Sequence, residues 1–311
     1  MKKTAFIVLS VMIVTALLLT GCSNSPSDTK GPITVGSKID TEGSLLGQMI
    51  ILALLDNGFE VVDKTQFGAT NIVKAALESG ELDIYPEYTG NGAFFFDETS
   101  SDVWNNAQQG YDRVKQLDKE RNDIDWLAPA PANNTWAIAI PKDLATQENL
   151  VTLDDFAAYV NGGGYVKLIG SEEFITSPVA LPKFEEVYGF TLTNDQLVTV
   201  SGGNTSQTEQ AAYNGTDGIN AAMAYGTDGS LSAFNLVILD DPKGAQPVYE
   251  PAPRVRGEVM DKYPEIAGIL DPIFESLNLQ TLQTLNGQIA VDGLNPVDVA
   301  RDYLTANGFL P

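Results

Sequence analysis

The chain has 311 residues, with 18 Lys and Arg against 41 Asp and Glu and a formal net charge of −23. Such an excess of acid excludes a nucleic-acid-binding surface. The absence of histidine removes the usual general base, the Ser-His-Asp triad and the commonest zinc ligand, and a single cysteine, Cys22, leaves neither an internal disulfide nor a thiolate metal site.

The N-terminus reads "MKK" followed by the apolar run "TAFIVLSVMIVTALLLTGC", the pattern of a secretory signal peptide over residues 1–21. Its end, "LTGC" (Leu19–Cys22), resembles a bacterial lipobox, in which the cysteine is lipidated and becomes the first residue. The alternative is an uncleaved transmembrane anchor, for which the apolar run is short. One acyl chain holds a membrane weakly, so stable anchoring needs several. Residues 22–32 read as a polar tether, and the loss of Lys2 and Lys3 with the signal takes the charge from −23 to −25. About 280 residues then remain, enough for two lobes with separate cores.

"ITVGSK" from Ile33 predicts a buried strand, and "SLLGQMIILALLDNG" a helix closed at Asn57–Gly58. "FEVVDKTQ" is a second strand, "GATNIVKAALESGE" a second helix and "LDIYPEY" a third strand. The alternation resumes with "TWAIAIP" as a strand, "TLDDFAAYV" as a helix capped by Thr152, "YVKLIGS" as a strand and "PVALPKFEEVYG" as a helix closed by glycine. "NAAMAYGTDG" and "LVILDDP" contribute strands, and the C-terminal residues two or three amphipathic helices. The class is α/β with largely parallel sheets. Ligands on such sheets bind beyond the C-terminal strand ends, near helix N-termini. "SKIDTEG", "YPEYTGNG", "SGGNTSQTE" and "AYGTDG" fall there, without any phosphate-loop or dinucleotide fingerprint.

Four aromatic residues, Tyr88, Trp136, Tyr225 and Tyr249, stand at strand ends or on Pro- and Gly-rich loops in separate parts of the chain. Each taken alone fits a core or lobe-interface role. Together they suit a cage. A quaternary ammonium cannot donate a conventional hydrogen bond, so a protein meets its diffuse charge with aromatic faces, each contact contributing about 0.5–2 kcal/mol.

The segments "VGSKIDTEGSLLGQM", "ESGELDIYPEYTGNGAFFF", "PANNTWAIAI", "NAAMAYGTDG" and "DPKGAQPVYEPAPRVR" resemble the osmoprotectant-binding proteins of ABC importers, the glycine betaine/choline/carnitine-binding family, over essentially the whole chain from Ile33. The resemblance implies a type II periplasmic-binding-protein fold, two α/β lobes with a ligand cleft between them. It implies lobe one at 33–132 and 238–311 and lobe two at 133–237, with crossings near Ala132 and Val237. It places the cage at Tyr88, Trp136, Tyr225 and Tyr249, and the anchor for a ligand carboxylate at Lys38. Asn91 stands where the family commonly has threonine, Trp136 where tyrosine is usual, and Asn134 where some relatives carry an acid. It implies a binding protein without cofactor and without enzymatic chemistry, working with an ABC permease in the cytoplasmic membrane, monomeric and held to a membrane by lipid.

Glycine betaine is the first expectation for the ligand, with choline, carnitine, proline betaine and ectoine-like solutes open. Thr70, at the start of the second helix, offers a hydroxyl and free amides to an anion, or caps that helix. Glu87 touches the cation or braces its own loop. Arg254 and Arg256 hold a carboxylate or form salt bridges. Asp228 reads as a turn residue and Phe94–Phe96 as packing. The rival from another class, an extracytoplasmic carboxylate-dependent hydrolase, needs paired acids at the cleft loops, and the sequence pairs none there.

Overall fold

The structure, a computed structural model, describes residues 30–201 and 205–311. The signal peptide, Cys22 and most of the tether lie outside the described residues. Lys30–Pro32, expected to close the tether, instead open β1 (Lys30–Lys38), because Lys30 and Ile33 pair with Phe59 and Val61 of β2 (Phe59–Gly68). Two five-stranded sheets organise the described residues.

The first sheet has the order β2-β1-β3-β10-β4, with β3 at Ile84–Tyr88, β4 at Ile124–Trp126 and β10 at Pro251–Arg256. β1 runs parallel to β2 and β3, whereas β10 runs antiparallel to β3 and β4. Pro86 of β3 faces Pro253 of β10. Neither residue has an N–H, so opposing them confines the missing donors to a pair that exchanges no backbone bonds. The second sheet has the order β7-β6-β8-β5-β9, with β5 at Trp136–Pro141, β6 at Leu168–Ser171, β7 at Leu197–Val200, β8 at Ala221–Tyr225 and β9 at Leu236–Ile238. Here β6, β7 and β8 are parallel and β5 is antiparallel to β8. In each sheet, then, a strand that follows a crossing enters antiparallel beside the parallel set.

The helix Thr41–Asp56 starts at Asp40, whose carboxylate accepts the Gly43 N–H at 2.7 Å. It is apolar nearly all round because it lies inside the first core. Leu45, Leu46, Met49 and Ile50 pack with Ile33, Val35 and Ile84 of the sheet and with Leu270, Phe274, Leu282 and Leu304 from the C-terminal helices. The second core gathers Ile138, Phe156, Phe174, Phe184 and Met223. The Thr152 cap is a full capping box with Asp155.

Two crossings join the lobes, one between Trp126 and Trp136 and the other between Ile238 and Pro251. Ile238, expected to begin the returning segment, is still in β9 opposite Ala139, and Leu239 and Ala245 pack into the second core. The return therefore comes after the expected point at Val237. "LVILDDP" does not reveal this, because a short strand and a hinge segment share its apolar-then-acidic pattern. The crossings bond to each other, with the Asn134 N–H donating to the Tyr249 carbonyl at 2.9 Å and the Tyr249 N–H to Asn133 Oδ1 at 2.8 Å. Among the described residues no helix is long and apolar enough to cross a membrane.

Candidate functional site

A cleft of about 940 Å³ opens between the lobes, and Lys38, Thr70, Tyr88, Asn91, Asn134, Trp136, Tyr225 and Tyr249 all line it. The topology accounts for the convergence. Lys38 and Tyr88 end β1 and β3, while Trp136 and Tyr225 are direct partners at the ends of β5 and β8. As a same-face cross-strand pair, Trp136 and Tyr225 stack at 6.4 Å between ring centroids and 19° between planes, forming one wall. Phe174 backs that wall edge-on to Trp136 at 6.2 Å.

Tyr249 comes from the return crossing. Its ring lies against Gly90, where an added Cβ would meet it at 2.8 Å, so "YTGN" needs glycine at this position for close approach. Thr89 ties the same two segments, its N–H donating to the Glu250 carbonyl at 3.0 Å and its hydroxyl to the Val248 carbonyl at 3.1 Å. Burial pushes the phenols of Tyr88, Tyr225 and Tyr249 upward, so all three remain neutral donors.

Tyr85 and Tyr88 both belong to strand β3, as "LDIYPEY" leads one to expect, and Tyr85 is fully buried. Glu87 braces its surroundings. It accepts from Lys38 Nζ at 2.5 Å, the Tyr88 N–H at 2.7 Å, Asn91 Nδ2 at 2.8 Å and the Tyr85 hydroxyl at 2.9 Å. Lys38 thus has its charge balanced by a buried carboxylate, and its ammonium sits 4.5 Å from the Tyr88 ring centroid. One aromatic face of Tyr88 already carries a cation. Thr70 opens the helix Thr70–Glu78 but does not cap it; the N-cap is Ala69, with no side-chain bond, and Thr70 and Asn71 of the first turn line the cleft.

Arg254 and Arg256 lie outside the cleft. Arg254 is fully buried and grips Asp118 bidentately, Nε at 2.6 Å and Nη2 at 2.9 Å, while Arg256 pairs with Asp83 and Glu258. The three phenylalanines part company, with Phe96 in the core and Phe94 49% exposed on the cleft rim.

Sequence reasoning missed the carboxylates. Glu42, in the first turn of the helix Thr41–Asp56, is buried beside the cleft, accepting from the Tyr88 hydroxyl at 2.7 Å, Asn286 Nδ2 at 2.6 Å and Asn134 Nδ2 at 3.2 Å. Desolvation pushes its carboxyl up to about 7, against the hydroxyl of Thr227 and the donors of Tyr88 and Asn286, which pull it down. Asp228 is more than a turn residue. It accepts the Tyr225 N–H at 2.6 Å and faces the cleft. Behind it lies fully buried Glu209, whose oxygens find no hydrogen-bond partner among the described residues and whose carboxyl burial and the Asp228 charge push up to about 9. The helix Thr205–Asn214 and the turn after β8 bring Glu209 near Asp228, which sequence spacing does not connect, but Glu209 is not among the residues that line the cleft. Acidic residues in a helix's first turn read as complements of its dipole, and nothing in "TLNGQIA" marks Asn286 as inward-facing.

A two-lobed α/β fold whose strand ends turn polar and aromatic side chains into an interlobe cleft defines a solute-binding protein. Comparison with known proteins gives the same class. The family described as the substrate binding domain of ABC-type glycine betaine transport system matches residues 31–306, and the chain belongs to that family. It is 51% identical over 294 residues to a protein of Escherichia coli (strain K12) named "Glycine betaine-binding protein YehZ", covering 94% of this chain and 96% of that one. It is 32% identical over 284 residues to the "Glycine-betaine-binding protein" of Pseudomonas aeruginosa, covering 89% of this chain and 88% of that one. Among solved structures it superimposes on apo YehZ of E. coli with a TM-score of 0.82 at 53% identity, covering 90% of this chain and 99% of that chain. The family is one of transporter binding proteins rather than enzymes, and substrate-binding proteins of ABC importers are extracytoplasmic.

Proposed function

We propose that the chain delivers a quaternary-ammonium osmoprotectant, glycine betaine first among them, to an ABC permease, holding the trimethylammonium head among Trp136, Tyr225, Tyr249 and the free face of Tyr88. The observation that carries this reading is the convergence of four rings from both lobes on one cleft. Each aromatic contact with the cation contributes about 0.5–2 kcal/mol, so three or four of them suffice for affinity in the micromolar range when joined by polar contacts. Names of the relatives from E. coli and P. aeruginosa support the same ligand.

The ligand carboxylate goes to the Lys38 ammonium, which has N–H groups beyond the one given to Glu87, and to Asn91 and the first-turn amides at Thr70. Asn134 closes the site from the first crossing. The bonded crossings act as the hinge on which the lobes, 30–132 with the C-terminal segment and 133 to the return crossing, close around the solute. Cys22 carries the lipid that keeps this monomeric protein at the extracytoplasmic face of a membrane. Wild type that takes up no labelled fatty acid, or a Cys22→Ser variant that takes up as much, removes the anchor from this account.

Calorimetric titration with glycine betaine, choline, carnitine, proline betaine and ectoine tests the ligand class. Saturable binding of glycine betaine is expected. A folded protein that binds none of the quaternary ammonium compounds overturns the reading.

A further inference from the structure

The cleft is electrically one-sided. Lys38 is the one cation among its described lining residues, and it is already matched by Glu87, whereas Asp40, Glu42, Glu173 and Asp228 are acids. Among these acids Glu42 holds a distinct place. It projects from the helix Thr41–Asp56 of the first lobe, bonds the hydroxyl of Tyr88, and takes amide donors from Asn134 of the first crossing and Asn286 of the helix Leu279–Ala290. Asn286 also donates to the Thr227 carbonyl of the second lobe at 2.9 Å, so the cluster spans the cleft floor from lobe to lobe.

We propose that Glu42 is a charge-sensing positioning residue, a carboxyl fixed behind Tyr88 by donors from both sides of the cleft, and that uptake of a cation among the aromatic rings drives its proton into the solvent. This rests on the ammonium-binding reading above. The proton leaves the Glu42 carboxyl for buffer and no other bond changes.

Three features support it. The carboxylate is anchored to the ring it acts through, since an anion bonded to a phenol enriches the ring that faces the cation. The cluster also accommodates both protonation states. Asn134 Oδ1 is a buried acceptor with no donor among the described residues, so a turn of that amide gives a protonated Glu42 somewhere to donate, while Asn286 stays fixed by its bond to the Thr227 carbonyl. Finally, a carboxyl pushed up to about 7 is divided between its two forms near neutrality, where a nearby cation most readily tips it. The charged and titratable groups around it are few. Asp40 faces it from its own helix and raises it, Tyr88 from β3 is a neutral donor with Lys38 on its ring, and the turn after β8 brings the Thr227 hydroxyl next to Asp228. The remaining elements bring the uncharged amides of Asn134 and Asn286.

The direction follows from linkage. A cation favours the ionised form, so binding lowers the carboxyl's affinity for protons, and affinity for the cation rises as pH rises through about 7. The test is calorimetry between pH 6 and 8 in buffers of different ionisation enthalpy. Tetramethylammonium serves as a cation without hydrogen-bonding groups and glycine betaine as a zwitterion. Wild type is expected to release roughly half a proton per tetramethylammonium near pH 7, less with glycine betaine, and to bind tetramethylammonium several-fold tighter at pH 8 than at pH 6. Glu42→Gln is expected to bind it more weakly, without proton release or pH dependence, while Glu186→Gln, an exposed carboxyl away from the cleft, keeps the wild-type behaviour. Binding by wild type without proton release overturns the proposal, as does release that survives Glu42→Gln. Should Glu42→Gln not fold, Tyr88→Phe, which removes the hydroxyl that donates to the carboxylate, is expected to move the pH midpoint of proton release upward, and an unmoved midpoint overturns the proposal. A wild type that binds neither probe removes the ammonium-binding reading itself, an outcome distinct from binding without protons.

Discussion

The Tyr88 ring carries Lys38 on one face, while its hydroxyl donates to Glu42. Ring and hydroxyl can therefore be separated by substitution. Tyr88→Ala removes both and is expected to weaken an ammonium ligand by about 0.5–2 kcal/mol from the lost cation–π contact, with packing loss in addition. Tyr88→Phe keeps the face but leaves a buried carboxylate one donor short, at a stability cost of about 1–3 kcal/mol. Binding and thermal melts of both variants read the two effects, and equal loss of affinity in Phe and Ala would make the hydroxyl the working group. Lys38 asks for a paired design. Lys38→Met strands Glu87, whose side chain is fully buried, and is expected to cost about 3–5 kcal/mol of stability. Lys38→Met with Glu87→Gln recovers much of that, and glycine betaine should then lose its advantage over choline; a double variant that keeps the full advantage clears Lys38 of carboxylate binding. The four rings were marked as a set by their places at strand ends beside Gly and Pro, although each alone fits a core or lobe-interface role. Glu42, Glu209 and Asn286 were not legible, because their burial is made by contacts between segments far apart in the chain.

Secondary structure was readable where one local signal dominated. The Thr152 capping box, the glycine that closes Leu181–Tyr188 in a left-handed conformation and the apolar helix Thr41–Asp56 all announce themselves. The helix Ala107–Asn122 does not. Its sequence, "AQQGYDRVKQLDKERN", is polar on nearly every side, and only Val114 and Leu117 enter the core while Asp118 turns inward to hold Arg254. β10 hides for another reason, since "PAPRVR" lacks two backbone donors and becomes a strand between two antiparallel neighbours, β3 and β4. The loop between β3 and the rim phenylalanines links this architecture to binding. At Gly90 an added Cβ meets the Tyr249 ring and the Val248 carbonyl, each at 2.8 Å. Gly90→Ala is therefore expected to cost about 1–3 kcal/mol of stability and to displace Tyr249, with a drop in ligand affinity larger than Tm alone would foretell. Unchanged affinity in a folded Gly90→Ala variant would take Tyr249 out of the site.

Over the whole molecule the buried acids shape the response to pH. Glu42 and Glu209 have carboxyls pushed up to about 7 and about 9 from the usual 4.5, both chiefly by burial. A group whose folded value is raised binds protons more tightly in the folded state. Its stabilising contribution is complete below the unfolded value and is lost as pH rises through the folded one. Each group can tilt stability by up to about 1.4 kcal/mol per pH unit within its window. The window is roughly 4.5 to 7 for Glu42 and 4.5 to 9 for Glu209. In the other direction, Glu98 beside Arg113 and Asp155 in its capping box are held below the usual carboxylate range, so their contribution is present above that range and lost on acidification. A net charge of −23 adds self-repulsion that grows as the last carboxyls ionise. Thermal midpoints of the ligand-free protein are therefore expected to peak near the ordinary carboxylate value of about 4.5 and to decline from there toward pH 9. Glu209→Gln, which keeps the shape but cannot ionise, should flatten that alkaline limb while leaving the acid limb in place. Glu42→Gln should flatten only its lower part, up to about pH 7. Melts of the three proteins across pH 3 to 9 measure this directly, and an alkaline decline as steep in Glu209→Gln as in wild type would assign it to surface repulsion rather than to Glu209 behind Asp228.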